Sequence, residues 1–269
     1  MPNFFDDIDS IEKLKNKLKE KGRNHYNYSF YVKSEYIDKS IEGIRLSTGK
    51  KWNDPIDVKN LKDEETVLFV KSFTFSKSES VAMWMLYTYT DKKGVLFQYK
   101  PKCIMDLLNS KNKQAIHIMN NDEFVCEIQP EDYEIELIDV AYLNEEDDNY
   151  VFKRSDNRKK IKKELFDNSY NLLQGKLDYF IKLYGWAYEN ECRLIVKVKK
   201  EFIKEYDENI DYHIILKPNC VKDNLSIISS PNYEGEPREK NNIQFKESFY
   251  KGKIHWIFEE NKDHEEVKL

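Results

Sequence analysis

The chain of 269 residues is long enough to bury a sizeable core without staples, and its 18 Tyr, 15 Phe and 4 Trp argue against disorder despite a charged fraction of 35%. Its 44 basic and 49 acidic residues leave a formal charge of −5, which argues against a whole-molecule attraction to nucleic acid and leaves only local patches for that role. Cys103, Cys126, Cys192 and Cys220 lack C-x-x-C spacing, the start MPNFFDDIDS lacks the order of a signal peptide, and no apolar run approaches the roughly 20 residues that span a bilayer. A cytoplasmic protein with no membrane partner is the expectation.

In chain order, DSIEKLKNKLKEKG reads as a thin amphipathic helix, with Asp9 and Glu12 at capping-box spacing and Gly22 as its stop. His25 to Val32 alternates as a half-buried strand, Ser34 to Glu42 suggests a short helix, GIRLS a strand and KKWNDPID a loop. Residues 66–76 form a β-rich run, followed by a helix around Val81, Trp84 and Met85 with Ser78 as its expected cap. GVLFQYK is a strand, and Pro101 opens a helix through Leu108. EFVCEIQ and YEIELIDVAYL are further strands. The acidic NEEDDN and basic FKRSDNRKKIKK then enter a helix expected to run to about Tyr184. CRLIVKVK, YHIILKP and KIHWIF complete the strand candidates. Strands outnumber helices without βαβ alternation, so the fold class is α+β. The expected organisation is an N-terminal helix over 1–24, one α+β domain over 25–260 and a charged tail over 261–269.

The five histidines never fall in H-x-x-H, H-x-H or H-E-x-x-H spacing, so a metal site would need ligands scattered through the fold, and none is expected. Phosphate-loop, dinucleotide and nucleophile-elbow motifs are absent. Three places carry chemistry. Arg45 and Ser47 share a strand face ahead of the Asn53-Asp54-Pro55 turn, which by itself also reads as a rigid turn. Ser76 leads into Trp84 and Tyr87 on one helix face, a spacing equally common in cores. Glu189, Glu191 and Arg193 alternate at a strand entrance, which suits either a general base beside a guanidinium or a structural bridge. The basic segment 154–163 reads as a solvated helix start or a phosphate-contacting surface for nucleic acid.

Taken in order, Tyr31, Arg45-Leu46-Ser47, Asn53-Asp54-Pro55, Phe75-Ser76, Met83-Trp84 with Tyr87, Gly94, and Trp186 through Arg193 resemble the bacterial family catalogued as domain of unknown function 2971, over roughly residues 26 to 200. The chain departs from that pattern in a Lys-Lys-Trp insertion before Asn53 and a long charged helix expected before Trp186. More distantly, the order is similar to ADP-ribosyltransferase folds, which implies split mixed or antiparallel sheets flanked by helices and NAD as substrate. On that resemblance Glu191, Glu189 and Tyr87 would be catalytic, with Arg45, Ser47, Asn53, Ser76, Trp84 and Arg193 holding NAD. A toxin or antiphage effector modifying an unknown macromolecular acceptor, or answering to a regulatory protein, is what the likeness implies. The competing class is a non-catalytic sensor or interaction module that binds a nucleotide or nucleic acid.

Overall fold

The structure, a computed structural model, describes residues 10–52, 54, 57–58, 61, 63–76, 78–88, 91–109, 112–146, 149–154, 157–162, 179–218 and 224–253. It is an α+β fold with a large mixed sheet and few helices among the described residues. None of those helices is long and apolar enough to cross a membrane.

The sheet is organised by one strand. β1 (Tyr28–Val32), β2 (Ile44–Ser47) and β3 (Thr66–Thr74) come first in the chain, and β3 is the point at which the sheet forks. One edge of β3 pairs antiparallel along its whole length with β12 (Glu191–Lys199), whose other edge pairs with β7 (Tyr133–Asp139). The opposite edge of β3 is shared, with Thr74 facing Ser29 of β1 and Val70 facing Ser47 of β2. From β1 one wing continues through β4 (Val95–Tyr99), β14 (Leu225–Ser229), β16 (Ile243–Lys246) and β15 (Glu239–Lys240). From β2 the other continues through β13 (Tyr212–Leu216), β5 (Ile116–Asn120) and β6 (Glu123–Ile128). A separate four-stranded sheet holds β8 (Ala141–Glu146), β9 (Asn149–Arg154), β10 (Asn157–Lys162) and β11 (Ile181–Leu183).

Strand periodicity assigns the faces. Tyr28, Phe30 and Val32, Phe69 and Phe73, Leu194 and Val196, and Ile214 and Leu216 point into one main core enclosed by the two wings. On the reverse face, α1 (Ile11–Gly22) lays Leu14 and Leu18 against Leu68, Val70, Ile138 and Ile195. Over the first wing, α3 (Val81–Thr88) buries Met83 and Trp84 on Tyr31, Leu96 and Ile228. That second cover is why β1 is buried at every position, where alternation predicted a half-buried strand. The remaining helices are α2 (Ile37–Glu42) and α4 (Pro101–Leu108), the latter opened by proline as expected.

Several expectations need correction. The cap of α1 is Ser10, whose hydroxyl accepts from the Lys13 N–H at 3.2 Å, while Asp9 lies outside the described residues. The cap of α3 is Ser80, which accepts from the Met83 N–H at 3.3 Å, and not Ser78. The long helix expected to end near Tyr184 is not there at either described end: Asn157–Lys162 is strand β10, paired with β9, and Ile181–Leu183 is strand β11, running parallel to β8 before a 3-10 turn at Tyr184–Glu189. NRKKIK offers a single apolar residue and no helical stripe, and as an edge strand it bonds one side of its backbone to β9. Of the basic segment, Arg154 ends β9 and Asn157–Lys162 is β10, while residues 155 and 156 and Lys163 lie outside the described residues, as do KIHWIF from Ile254 on and the 261–269 tail. The strands β5 and β14 were not anticipated.

Gly43 shows how closely α2 is set against β13. Its backbone is extended, but a Cβ there would stand 2.7 Å from both the Ile215 Cγ2 and the Leu216 carbonyl oxygen. Gly43→Ala is therefore expected to cost about 1–3 kcal/mol through overpacking, seen as a lower urea midpoint. An unchanged midpoint would show that the two elements part freely.

Candidate functional site

At the head of β12 the alternation of side chains puts Glu191 and Arg193 on the reverse face of the sheet, beside Ser72, the register partner of Arg193. Asn190, in the left-handed region at φ 45°, joins the 3-10 turn to the strand, a conformation that Asn tolerates better than most residues. As a result Glu189, on the turn, and Glu191, on the strand, both reach Lys182 on β11, at 2.8 and 3.0 Å. Arg193 is fully enclosed. Its Nε donates to Glu191 at 2.8 Å, Nη2 to Asp57 at 2.6 Å and Nη1 to the Tyr179 carbonyl at 2.5 Å. Glu191, 2% exposed, also accepts from the Ser72 hydroxyl, and its own N–H donates to Tyr142 Oη at 2.8 Å. Tyr87 Oη donates to Glu189 at 2.6 Å and is the outermost member, 40% exposed. Trp52 and Trp186 lie 5.7 and 5.0 Å from the Arg193 and Lys182 cations.

Three carboxylates thus share two cations. Burial acts to raise the Glu191 pKa, but the charges of Arg193 and Lys182 and the hydrogen bonds from Arg193 and Ser72 overcome it and hold the group at about 2. Glu189 goes the other way: burial and the neighbouring Glu191 charge raise it, only partly offset by Lys182 and Tyr87. Burial would lower Lys182 and Arg193, yet the carboxylates raise both, so both stay charged. The network is a closed ionic brace among β3, β11, β12 and the Asp57 segment.

The residues singled out in the sequence divide accordingly. Tyr87, Glu189, Glu191 and Arg193 come together in the brace. Trp84 is a core residue, 2% exposed, its indole donating to Glu79 at 3.0 Å. Ser76 is half-buried just beyond β3, and Asn53 lies outside the described residues. Arg45 and Ser47 sit on β2, which diverges from β3 at the fork, and Arg45 shares no hydrogen bond or ion pair with Glu191. Glu191 does not pair with Arg45, because the carboxylate is committed to Arg193, Lys182 and Ser72. Lys182, Asp57, Ser72 and Tyr142 escaped the sequence reading. A lone lysine in FIKLYG was the available signal for the first.

Arg45 lines a different feature, an open cleft of about 490 Å³ on the second wing. Strand β13 pairs with β5 only through Tyr212–Asn120 and His213–Met119, although it follows β2 as far as Leu216. Where β5 leaves it, the cleft opens, with Ile215 to Lys217 on one side, Ile116 and His117 on the other, and Leu107, Tyr133 and Ile135 among its apolar lining. Four cations (Lys39, Arg45, Lys113, Lys217) line it against two carboxylates (Glu42, Asp122), and one of those, Asp122, pairs with Lys39 at 3.1 Å. Arg45 has no ion pair or hydrogen bond among the described residues, and Lys113 donates to the neutral carbonyls of Pro130 and Tyr133 at 3.2 and 2.6 Å. His213 is 2% exposed with its Nδ1 unpartnered, and burial, then the Arg45 charge, lower its pKa to about 4. Near the fork, Lys71 points into the main core with its ammonium 3.6 Å from the Phe30 ring centre, and burial together with Arg45 lowers its pKa to about 7.

An α+β protein with a forked mixed sheet, an enclosed ionic brace and an open cationic cleft is what fold and site define. The family model described as "Protein of unknown function (DUF2971)" matches residues 83–194, from within α3 to the first residues of β12, and so carries the resemblance noted in the sequence over that stretch. No curated protein and no solved structure matches the chain.

Two outcomes follow from these charges. Removing Arg193 leaves Glu191 and Asp57 buried without their main counter-charge, so Arg193→Met is expected to cost about 3–5 kcal/mol in urea denaturation. Glu191 has a folded pKa of about 2 against an unfolded value of about 4.3, so its contribution is full above the latter and lost as pH falls through the former. Glu191→Gln is expected to flatten the acid limb of stability in that window, and an unchanged acid limb would contradict the brace. Lys71 works in the opposite sense. Between about pH 7 and 10 the unfolded chain holds a proton that the folded amine has lost, so stability rises with pH across that window. Lys71→Met is expected to stabilise by about 1–3 kcal/mol near neutral pH, with the gain shrinking toward about pH 10. A gain that does not vary with pH would rule out a titrating buried amine.

Proposed function

We propose that this chain binds a phosphate-bearing small molecule of the nucleotide class in the cleft between β13 and β5, and that the Glu189–Glu191–Arg193 brace supports the fold without performing chemistry. The observation that carries this reading is the Arg45 guanidinium, without an ion pair or hydrogen bond among the described residues and with the exposed Asp122 charge acting on it from the same cleft, beside the buried, unpartnered His213 Nδ1. A guanidinium offers a planar fork matched to phosphate oxygens, and a buried ring nitrogen beside it offers a second group to a bound polar atom. The cleft of about 490 Å³ lies in the range of pockets that hold such molecules, and its apolar part suits a base or ring while its cationic surplus suits an anion.

Transfer of ADP-ribose through Glu191 asks more of the molecule. The carboxylate would have to leave Arg193, Lys182 and Ser72 and turn to a bound ribose, breaking a buried bridge as it did so. The enclosure of Glu191 therefore favours a binding module, such as a sensor, over a transferase.

Calorimetric titration with ATP, NAD and ADP-ribose tests this. At least one is expected to bind wild-type protein, with Arg45→Ala weakening it about tenfold to a hundredfold, the equivalent of about 1.5–3 kcal/mol for a charged hydrogen bond. Arg45→Lys is expected to recover only part, because an ammonium lacks the fork. Affinity indifferent to Arg45→Ala would remove the cleft from consideration. NAD is expected to survive incubation intact, and nicotinamide release abolished by Glu191→Gln would restore the transferase reading.

A further inference from the structure

On the opposite face of β12 from the brace, three residues far apart in sequence converge. His25 lies between α1 and β1, Asp139 ends β7, and Cys192 is the register partner of Asp139 on β12. One ligand atom from each lies within 4.8 Å of the other two, and all three residues are buried. The His25 Nε2 already stands 2.5 Å from Asp139 Oδ1. The ring is fixed in place by stacking on Phe75 at 3.9 Å and 1° and by the edge of Tyr28 at 5.9 Å. The Gly22 carbonyl oxygen stands 3.9 Å from Cys192 Sγ and accepts a 2.6 Å hydrogen bond from Tyr28 Oη.

We propose that His25, Asp139 and Cys192 form a buried structural site for a divalent metal of the zinc class. Imidazole nitrogen, carboxylate oxygen and thiolate sulfur are the donors zinc takes, at about 2.0–2.3 Å, which sets donor atoms roughly 3–4 Å apart around the ion. The three ligand atoms lie within 4.8 Å of one another, with Nε2 and Oδ1 at 2.5 Å, so loading asks these side chains to move apart or together to reach that spacing around the ion. Charge favours the same conclusion: a divalent ion with one thiolate, one carboxylate and a neutral imidazole is neutral overall, so the loaded site carries no net charge into a buried region. Loading releases the thiol proton, which the Cys192 S–H otherwise directs toward the Gly22 carbonyl. The site is enclosed, so its role would be to tie the α1–β1 connection to β7 and β12. This proposal is independent of the ligand assigned to the cleft.

The test uses the full chain, purified without a histidine tag and stripped of metal. Titration with Co²⁺ is expected to reach one metal per chain with a thiolate-to-cobalt charge-transfer band, and Zn²⁺ is expected to displace it and raise the thermal midpoint. Cys192→Ser should abolish the band, His25→Gln should weaken cobalt binding at least tenfold, and Cys126→Ser, at a half-buried position away from the cluster, should leave both unchanged. Should Cys192→Ser fail to fold, the wild-type spectrum and His25→Gln decide the matter. Absence of a thiolate band in wild-type protein, or cobalt affinity unchanged in His25→Gln, would overturn the site.

Discussion

A guanidinium buried to zero exposure in the longest antiparallel pairing of the molecule is the constraint around which the reverse face is arranged. Arg193 cannot be stripped of water without replacement partners, and no single segment supplies them. Glu191 comes from its own strand, Asp57 from the connection between β2 and β3, and the Tyr179 carbonyl from the approach to β11. Lys182 then answers the surplus of carboxylate, and Ser72 and Tyr142 occupy remaining hydrogen-bonding sites on Glu191. Such a network is not a large net source of stability compared with a well-packed apolar core, but it penalises any arrangement in which one of these segments is displaced. Its effect is to position the chain.

The fork of β3 determines what is left open. Because β1 and β2 share one edge of β3, the two wings separate, and the main apolar core fills the space between them. Arg45 goes with the second wing, where β5 departs from β13 after two residue pairs and leaves the cleft exposed. The acids at the head of β12 stay at the undivided part of the sheet. One part of the molecule therefore holds neutralised charge shut away from solvent, while another presents cationic charge without equal compensation. The former suits support and the latter suits recognition of an anion.

Much of this was legible from residue patterns. Alternation located β1, apolar and β-rich runs located β2, β3, β4, β12 and β13, proline marked α4, and the α+β class followed from the excess of strands. Glu189, Glu191 and Arg193 were anticipated as a cluster, Tyr87 was joined to the two acids only by the resemblance, and the structural bridge weighed beside the catalytic reading is the geometry adopted. What escaped detection has a common cause. The positions of Lys182, Asp57 and His213 depend on strand pairings distant in sequence, and no local period reports those. Nor does spacing reveal that residues 25, 139 and 192 meet, because the register of β7 with β12 brings them together. Lys71, a lone charge on the inward side of an apolar strand, and Lys182, a lone charge in FIKLYG, did carry a local sign of their unusual settings.

Crystals soaked with a nucleoside diphosphate would test most directly whether recognition and support are separated in this way. Phosphate density should lie within hydrogen-bonding distance of Arg45 and His213, with the Glu191–Arg193 pair undisturbed. Density for the same molecule beside Glu189 and Glu191, with that pair opened, would contradict the division and return the acids to the reacting centre.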